Sequence, residues 1–280
     1  MRNLSLIVLV ALTGCAVSSS DGPEAPEVEV SPKITPRVTY GTEDGTGHPG
    51  VVLLRMWTDT EAAQPNGAWR CSGTLLTPTI VVTAGHCTDE PGTVKGIKVF
   101  NTPEVPNYDS PAGVAKRWSS HPLFTNAAFF VHDVGMIELE APINLPAGDY
   151  GQLPAQDSLD ALKGSGKSPT FTAVGYGLQR INGKMENNVQ ADKTRMFASP
   201  KLLQINNGAT GSFSMLLSNN ASTGGTCFGD SGGPNFVGTS MTIGGVTSFG
   251  KNNSCGGTGG VFRLDRADVL AYIAGFIAGN

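Results

Sequence analysis

Short alternating runs of apolar and polar residues recur along the chain, and clusters of turn residues separate them. Examples lie at residues 50–56, 73–76, 96–100, 170–175 and 243–249. Alternation with a period of two is typical of strands that bury one face, and strands at this spacing are typical of β-sandwiches and β-barrels. The pattern therefore predicts an all-β protein.

One segment near the C-terminus has helical periodicity instead. Between residues 265 and 277, apolar side chains recur at intervals of three and four, and Asp265 has the position of an N-cap. The apolar face consists of Val269, Leu270, Ile273, Phe276 and Ile277. We expect a C-terminal helix that packs on the body of the protein.

Composition supports the all-β prediction and excludes some partners. The chain of 280 residues has 37 glycines and 18 prolines, and only 15% of its residues are charged, which favours a loop-rich β protein over a helical one. The net charge of -4 and the lack of a basic patch give no reason to expect nucleic acid binding. No His, Cys and carboxylate cluster has ligand spacing, so we expect no metal and no other cofactor.

The first residues resemble a bacterial lipoprotein signal. Arg2 precedes an apolar run at residues 4–12, which is too short to span a bilayer but suits a signal peptide. The sequence Leu-Thr-Gly-Cys ending at Cys15 resembles the lipobox, which implies a signal peptide at 1–14 and a lipid-anchored Cys15. A cut after Ala16 would give a secreted protein instead. Ala16, rather than Asp, after the cysteine favours the outer membrane.

Residues 15–37 have the composition of a spacer. They are rich in Ser, Glu and Val and contain four prolines. Such a segment is expected to be extended and poorly ordered, and it would hold a folded domain away from a membrane.

Three motifs carry residues suited to acyl transfer. Thr-Cys-Phe-Gly-Asp-Ser-Gly-Gly-Pro places Ser231 in a glycine-rich turn, Val-Val-Thr-Ala-Gly-His-Cys ends an apolar run at His86, and His-Asp-Val-Gly places Asp133 before an alternating strand. A serine hydroxyl is a poor nucleophile without a base, an orienting acid and donors for the developing oxyanion. We predict Ser231 as nucleophile, His86 as base and Asp133 as acid.

The order of these motifs and their flanking residues resemble the chymotrypsin-like and trypsin-like serine proteases. The resemblance begins at residue 38 and implies two six-stranded antiparallel β-barrels, at 38–145 and 146–280, around a catalytic cleft. It also implies a serine endopeptidase that cleaves protein or peptide substrates through an acyl-enzyme. By resemblance, the N–H groups of Gly229 and Ser231 form the oxyanion hole, and Ser248 donates to Asp133.

Four cysteines besides Cys15 suit disulfides in an exported protein. Sequence alone allows three pairings. The resemblance implies bridges between Cys71 and Cys87 and between Cys227 and Cys255. It also places Phe171 and Val237 where many relatives have a further bridge, so we expect an apolar pair there.

Residues 37–43 resemble an activation junction of the family. There, cleavage after Arg37 would free the amino group of Val38 to pair with Asp230, which implies a zymogen and an activating protease. The same cut would release the domain from its anchor. Thr39 and Tyr40 differ from the family pattern.

The resemblance also implies a specificity pocket. Gly225 stands where trypsin-like relatives carry an aspartate, and Gly250 and Gly260 leave the walls open, so we expect cleavage after large apolar or aromatic residues. The predicted pocket residues are Gly225, Thr226, Phe228, Ser248, Phe249, Gly250 and Gly260.

Two alternatives lie outside enzyme catalysis. One is a catalytically silent binding protein on a protease-like scaffold, and the other is a surface lipoprotein in which the barrels serve only as a scaffold. The intact set of Ser231, His86 and Asp133 favours the enzyme.

Overall fold

The computed structural model describes most of the chain from residue 40 onward. The described residues are 40–88, 93–128, 130–164, 168–181, 189–190, 192–208, 210–252 and 254–279. The predicted signal peptide, Cys15, the spacer and the Arg37–Val38 junction lie outside them.

Strands dominate these residues, as the alternating pattern predicted. Two α-helices are described, α1 (Gly85–Thr88) and α2 (Ala267–Ala278), with short 3-10 turns at Asn126–Ala128, Ala147–Asp149 and Ser158–Leu162. The strands are β1 (Thr42–Glu43), β2 (Val51–Trp57), β3 (Trp69–Leu75), β4 (Ile80–Thr83), β5 (Gly96–Phe100), β6 (Gly113–Ser120), β7 (Gly135–Leu139), β8 (Phe171–Gly175), β9 (Arg180–Ile181), β10 (Val189–Gln190), β11 (Met196–Ala198), β12 (Leu202–Asn207), β13 (Gly211–Asn219), β14 (Pro234–Val237), β15 (Ile243–Gly250) and β16 (Gly257–Arg263).

Six strands close into an antiparallel barrel in the order β2-β3-β4-β7-β6-β5. Residues 51–56 of β2 are all buried, because one face of the strand lines the barrel and the other is covered by β8 and, at Arg55, by the loop that contains Gln64 and Pro65. This confirms the all-β class and the first barrel.

The second body is an antiparallel sheet of eight strands, in the order β1-β11-β8-β14-β15-β16-β13-β12. It differs from the expected six-stranded barrel in two ways. The short strand β1, from before the first barrel, adds to one edge, and the edge strands β1 and β12 are not paired with each other. Register shifts in the β12–β13, β14–β15 and β15–β16 pairs bend the strands and curl the sheet.

The C-terminal helix α2 is confirmed. It buries Val269, Ile273 and Phe276, and Ile277 from the predicted face is 44% exposed. Arg117 donates from Nη2 to the Phe276 carbonyl at 2.6 Å and so fastens the helix to β6. No helix in the described residues is long and apolar enough to cross a membrane.

The predicted N-cap of α2 was wrong. Arg266 has the N-cap position and no side chain caps the helix. Asp265 is fully buried and accepts from the Leu159 N–H at 2.9 Å and from Arg263 Nε at 2.9 Å. Its carboxylate neutralises the buried Arg263 guanidinium. Leaving that buried charge unpaired would cost more than leaving the N-terminus of the helix without a side-chain cap.

Both disulfides expected from the family resemblance are present. Cys71 is bonded to Cys87 and Cys227 to Cys255. At the site of the further bridge seen in relatives, Val237 of β14 lies opposite Phe171 of β8, and Phe171 is fully buried. An apolar pair therefore replaces the bridge there.

A buried ionic network ties β1 to both sheets. Arg195, just before β11, donates from Nε to Asp44 at 2.8 Å, and its Nη1 donates to the Asn101 carbonyl at 3.0 Å and to the Tyr176 hydroxyl at 3.2 Å. Burial alone would raise the pKa of Asp44, but hydrogen bonds from His48 and Arg195 outweigh it and lower that pKa. The pair thus stays charged and joins segments far apart in sequence.

Candidate active site

Strand pairing brings His86 and Asp133 together. Strand β4 pairs with β7 in antiparallel register, with Thr83 opposite Gly135. His86 follows the end of β4 in the single turn of α1, and Asp133 precedes the start of β7. The two side chains therefore emerge at one edge of the barrel, although 47 residues separate them in sequence.

The Asp133 carboxylate is fully buried and collects several donors. The backbone N–H of His86 lies 2.9 Å from Oδ1, and His86 Nδ1 lies 3.0 Å from Oδ2. Ser248 donates its hydroxyl to Oδ2 at 2.5 Å. Because an ionised carboxylate only accepts, the imidazole donates from Nδ1 and keeps a lone pair on Nε2. His86 is thereby oriented as a base.

Close packing fixes the turn that carries Ser231. The Ser231 carbonyl accepts from the Ser72 N–H at 2.8 Å, and the Gly232 N–H donates to the Thr247 carbonyl at 2.8 Å. A Cβ on Gly232 would lie 1.9 Å from Thr83 Oγ1, and its φ of 77° suits glycine. The glycine after the serine is required for this approach to the barrel.

Backbone donors lie on the same turn. Gly229 has φ of 94°, a conformation that glycine adopts without strain. The hydroxyl of Ser72 donates to the Gly229 carbonyl at 3.0 Å and holds this peptide in place. Among the described residues, the N–H groups of Gly229 and Ser231 have no protein acceptor, so both can donate to a negatively charged oxygen.

Asp230 points away from the cavity into the interior. Its carboxylate accepts from the N–H groups of Gly177 at 2.7 Å and Cys227 at 2.8 Å. Burial raises the pKa of Asp230 to about 6, while these hydrogen bonds and the charge of Arg70 act in the opposite direction. A buried carboxylate of this kind gains from a further cationic partner.

A cavity of about 290 Å³ opens beside the serine and histidine. Five predicted pocket residues line it, and two do not. Asn219 covers Gly225, since a Cβ on that glycine would lie 2.3 Å from Asn219 Cγ, and the ring of Phe249 lies across Gly260. The lining residues are His86, Asn219, Thr226, Cys227, Phe228, Ser231, Thr247, Ser248, Phe249, Gly250, Asn252, Cys255 and Thr258.

Sequence reasoning missed several of these residues, chiefly Asn219 and Thr258. Asn219 ends β13 and lies opposite Gly257 at the start of β16. No motif distinguishes either position, because only the pairing of these two strands brings them to the cavity. One further cluster, Cys71, Cys87 and His86, has metal-ligand atoms within 4.8 Å of one another. Its two sulfurs are joined in a disulfide, which removes the thiolates that a metal would need.

Comparison with known proteins supports the relationship that the motifs indicate. The family model described as Trypsin matches residues 57–266. A protein named Trypsin from Saccharopolyspora erythraea is 29% identical over 231 residues, covering 79% of this chain and 91% of that protein. Chymotrypsin-like elastase family member 1 from Macaca fascicularis is 25% identical over 237 residues, covering 80% of this chain and 83% of that protein.

A solved structure supports the fold. The structure titled HL collagenase matches with a TM-score of 0.62 at 19% sequence identity, covering 86% of this chain and 98% of that one. At this identity the similarity concerns the fold alone, whereas the family model covers more than half of the chain. The chain therefore belongs to the trypsin family of chymotrypsin-like and trypsin-like serine proteases.

Proposed function

We propose that the protein is a serine endopeptidase with Ser231, His86 and Asp133 as its catalytic residues. The observation that carries the proposal is the buried Asp133 carboxylate bonded to His86 at 3.0 Å, with His86 and Ser231 lining one cavity. Membership of the trypsin family supports it. An oriented base beside a serine is the arrangement that activates a hydroxyl for attack.

The reaction follows from these positions. Ser231 Oγ forms a bond to the carbonyl carbon of the substrate as its proton passes to His86 Nε2, and the carbonyl oxygen becomes an oxyanion. The N–H groups of Gly229 and Ser231 stabilise that charge. The C–N bond then breaks as His86 gives its proton to the leaving amine. Water then attacks the acyl carbon and gives a proton to His86. The ester bond to Ser231 Oγ breaks, His86 returns the proton to Oγ, and the carboxylic acid product leaves.

Asp133 acts through His86. Its negative charge stabilises the imidazolium that forms in each proton transfer, and its bonds to both the ring and the backbone N–H of His86 keep the ring in one orientation. Ser248 satisfies the remaining acceptor capacity of this buried carboxylate.

The proposed substrates are proteins or peptides with a large apolar or aromatic side chain before the cleaved bond. The cavity is walled by Phe228, Phe249 and the Cys227–Cys255 disulfide, and no Asp, Glu, Lys or Arg is among its described lining residues. Side chains that bury apolar surface are therefore favoured over charged ones.

We also propose that the chain is exported, anchored through Cys15 at the outer membrane, and activated by cleavage between Arg37 and Val38. The state of Asp230 supports the last step. Its carboxylate is fully buried with backbone donors, and the ammonium group of a new N-terminus at Val38 would add a second positive charge to that of Arg70, which already acts to lower its pKa. The cut would also release the domain from its anchor.

Reaction with a fluorophosphonate probe tests for the activated serine. We expect the protein cleaved at Val38 to be labelled and to hydrolyse peptides, and Ser231→Ala to abolish labelling and lower kcat by at least ~10³-fold. Ser222→Ala is the matched control, because Ser222 is exposed, and it should behave as the wild type. Retained labelling or peptidase activity in Ser231→Ala would refute the assignment. A folded, cleaved protein that is not labelled would instead favour a silent binding protein or scaffold.

A further inference from the structure

A buried amide forms the floor of the cavity. Asn219 is 2% exposed and lines the cavity together with His86 and Ser231. Its side chain fills the space in front of Gly225, because a Cβ on that glycine would lie 2.3 Å from Asn219 Cγ and 2.4 Å from Oδ1. Asn219 thus occupies the volume that a side chain at position 225 would fill.

Hydrogen bonding fixes which way the amide faces. The nitrogen Nδ2 donates to the Thr226 carbonyl at 2.7 Å. Because a carbonyl only accepts, the NH₂ group must face it, and the amide cannot be reversed. The oxygen Oδ1 is buried and has no hydrogen-bond partner among the described residues. A buried acceptor without a donor is unfavourable, and a ligand that supplies a donor relieves it.

The walls restrict the chemistry of that donor. Phe228, Phe249 and the Cys227–Cys255 disulfide offer apolar surface, and Thr226 and Thr258 offer neutral hydroxyl groups. A cationic tip such as that of lysine or arginine would be buried here with no carboxylate among the described lining residues. A neutral O–H or N–H at the end of an apolar side chain suits the site better.

We infer that Asn219 is a specificity-determining residue whose Oδ1 accepts a hydrogen bond from the substrate side chain before the cleaved bond. Tyrosine meets the requirements, since its ring matches the apolar walls and its hydroxyl supplies the donor. This inference rests on the proposed endopeptidase function. A site built to bond a hydroxyl discriminates against the analogue that lacks it. We expect kcat/KM for tyrosine to exceed that for phenylalanine by at least ~10-fold.

The test compares peptides that differ only in that residue, as Tyr, Phe, Gln or Lys, with enzyme concentration set by fluorophosphonate titration. In Asn219→Leu, which keeps the shape and removes the acceptor, the Tyr to Phe ratio should fall to about 1. Gln179→Met is the matched control. Gln179 is also fully buried, its Nε2 donates to a backbone carbonyl and its Oε1 has no partner in the described residues, but it does not line the cavity. It should keep the wild-type ratio.

A second readout does not depend on catalysis or on the folding of the Asn219 variant. Calorimetry measures binding of N-acetyltyrosinamide and N-acetylphenylalaninamide to the Ser231→Ala protein, and we expect the tyrosine ligand to bind at least ~10-fold more tightly. Equal binding of the two ligands, an unchanged ratio in Asn219→Leu, or preferred cleavage after Lys would each overturn the role of Asn219. A protein that prefers the tyrosine ligand but is not labelled by the fluorophosphonate would count against the proposed reaction. It would still support the role of Asn219 in recognising the side chain.

Discussion

A single buried carboxylate, Asp133, receives hydrogen bonds from segments far apart in the chain. His86 comes from α1 of the barrel and Ser248 from β15 of the second sheet. A buried charge is tolerated only when donors satisfy it, so each donor contributes to both the fold and the orientation of the imidazole.

The Ser248 donor can be removed on its own. We expect Ser248→Ala to lower the free energy of unfolding by about 1.5–3 kcal/mol, because Ser248 donates to a fully buried charge. We also expect kcat/KM to fall, about tenfold for each 1.4 kcal/mol of lost transition-state stabilisation. Urea unfolding and peptide hydrolysis measure the two effects.

Ser240→Ala provides the comparison. Ser240 also donates a hydroxyl, to the Val237 carbonyl at 2.8 Å, but it is exposed and its acceptor is neutral. Its loss should change stability by no more than about 0.5 kcal/mol. If the two variants are equally stable and equally active, the Ser248 hydroxyl does not stabilise the buried Asp133 carboxylate.

Local sequence was enough to predict Ser231, His86 and Asp133 as catalytic residues, because each lies in a motif whose turn or strand context is encoded within a few residues. Asn219 could not be found in this way. Its proposed role depends on the end of β13 lying behind Gly225, a relation between separate segments. The prediction of Asp265 as the N-cap of α2 was wrong for a similar reason. Its carboxylate pairs with Arg263, and the burial of that arginine is evident only in the folded chain.

At the scale of elements, each disulfide supports one side of the cavity. Cys71–Cys87 joins β3 to α1, which carries His86, and Cys227–Cys255 joins the serine turn to the loop after β15. The alternating runs predicted β2, β3, β5, β8 and β15, but no pattern indicated the two-residue strand β1, which is too short to show a period. Its pairing with β11 arises from the tertiary fold.

Removal of each bridge should have a separate effect. The bridges span 16 and 28 residues, for which chain entropy predicts losses of about 3 and about 3.5 kcal/mol in the free energy of unfolding. Replacing both Cys227 and Cys255 by Ala should also raise KM, because this bridge lines the cavity. Urea unfolding of each double variant, with and without reductant, measures the losses. Equal KM values in the two double variants would contradict this distinction.

At the scale of the whole molecule, two buried aspartates respond to pH in opposite directions. The pKa of Asp44 is lowered, so its contribution to stability is present above an unfolded value of 3.8 and is lost as pH falls through the folded value. The pKa of Asp230 is raised from 3.8 to about 6. Its contribution is full below the unfolded value and is lost as pH rises through about 6.

The proposed activation should change the second response. In the intact chain, ionisation of Asp230 between pH 3 and pH 7 costs about 3 kcal/mol of stability. In a chain that begins at Val38, the ammonium group would lower the pKa of Asp230 and remove this loss. We therefore expect the stability difference between the two forms to grow by about 3 kcal/mol over that range.

Urea unfolding of Ser231→Ala proteins, one intact and one beginning at Val38, measures the difference without self-cleavage. Burial lowers the pKa of His121, which titrates in the same range, but His121 is present in both forms and cancels. The same pH dependence in both forms would exclude pairing of Val38 with Asp230. Full peptidase activity in an uncut Arg37→Gln protein would exclude the need for cleavage.

The pairing of β1 with β11 joins two strands that are synthesised at very different times. Glu43 lies opposite Met196, so the first strand leaves the ribosome long before its partner exists. At synthesis rates of about 5–20 residues per second, that delay is on the order of 10 s. All residues of the barrel strands β2 to β7 are synthesised during that delay, whereas the second sheet still lacks most of its strands. Strand β1, which follows the proposed activation junction in sequence, therefore gains its partner only after all the barrel strands have been synthesised.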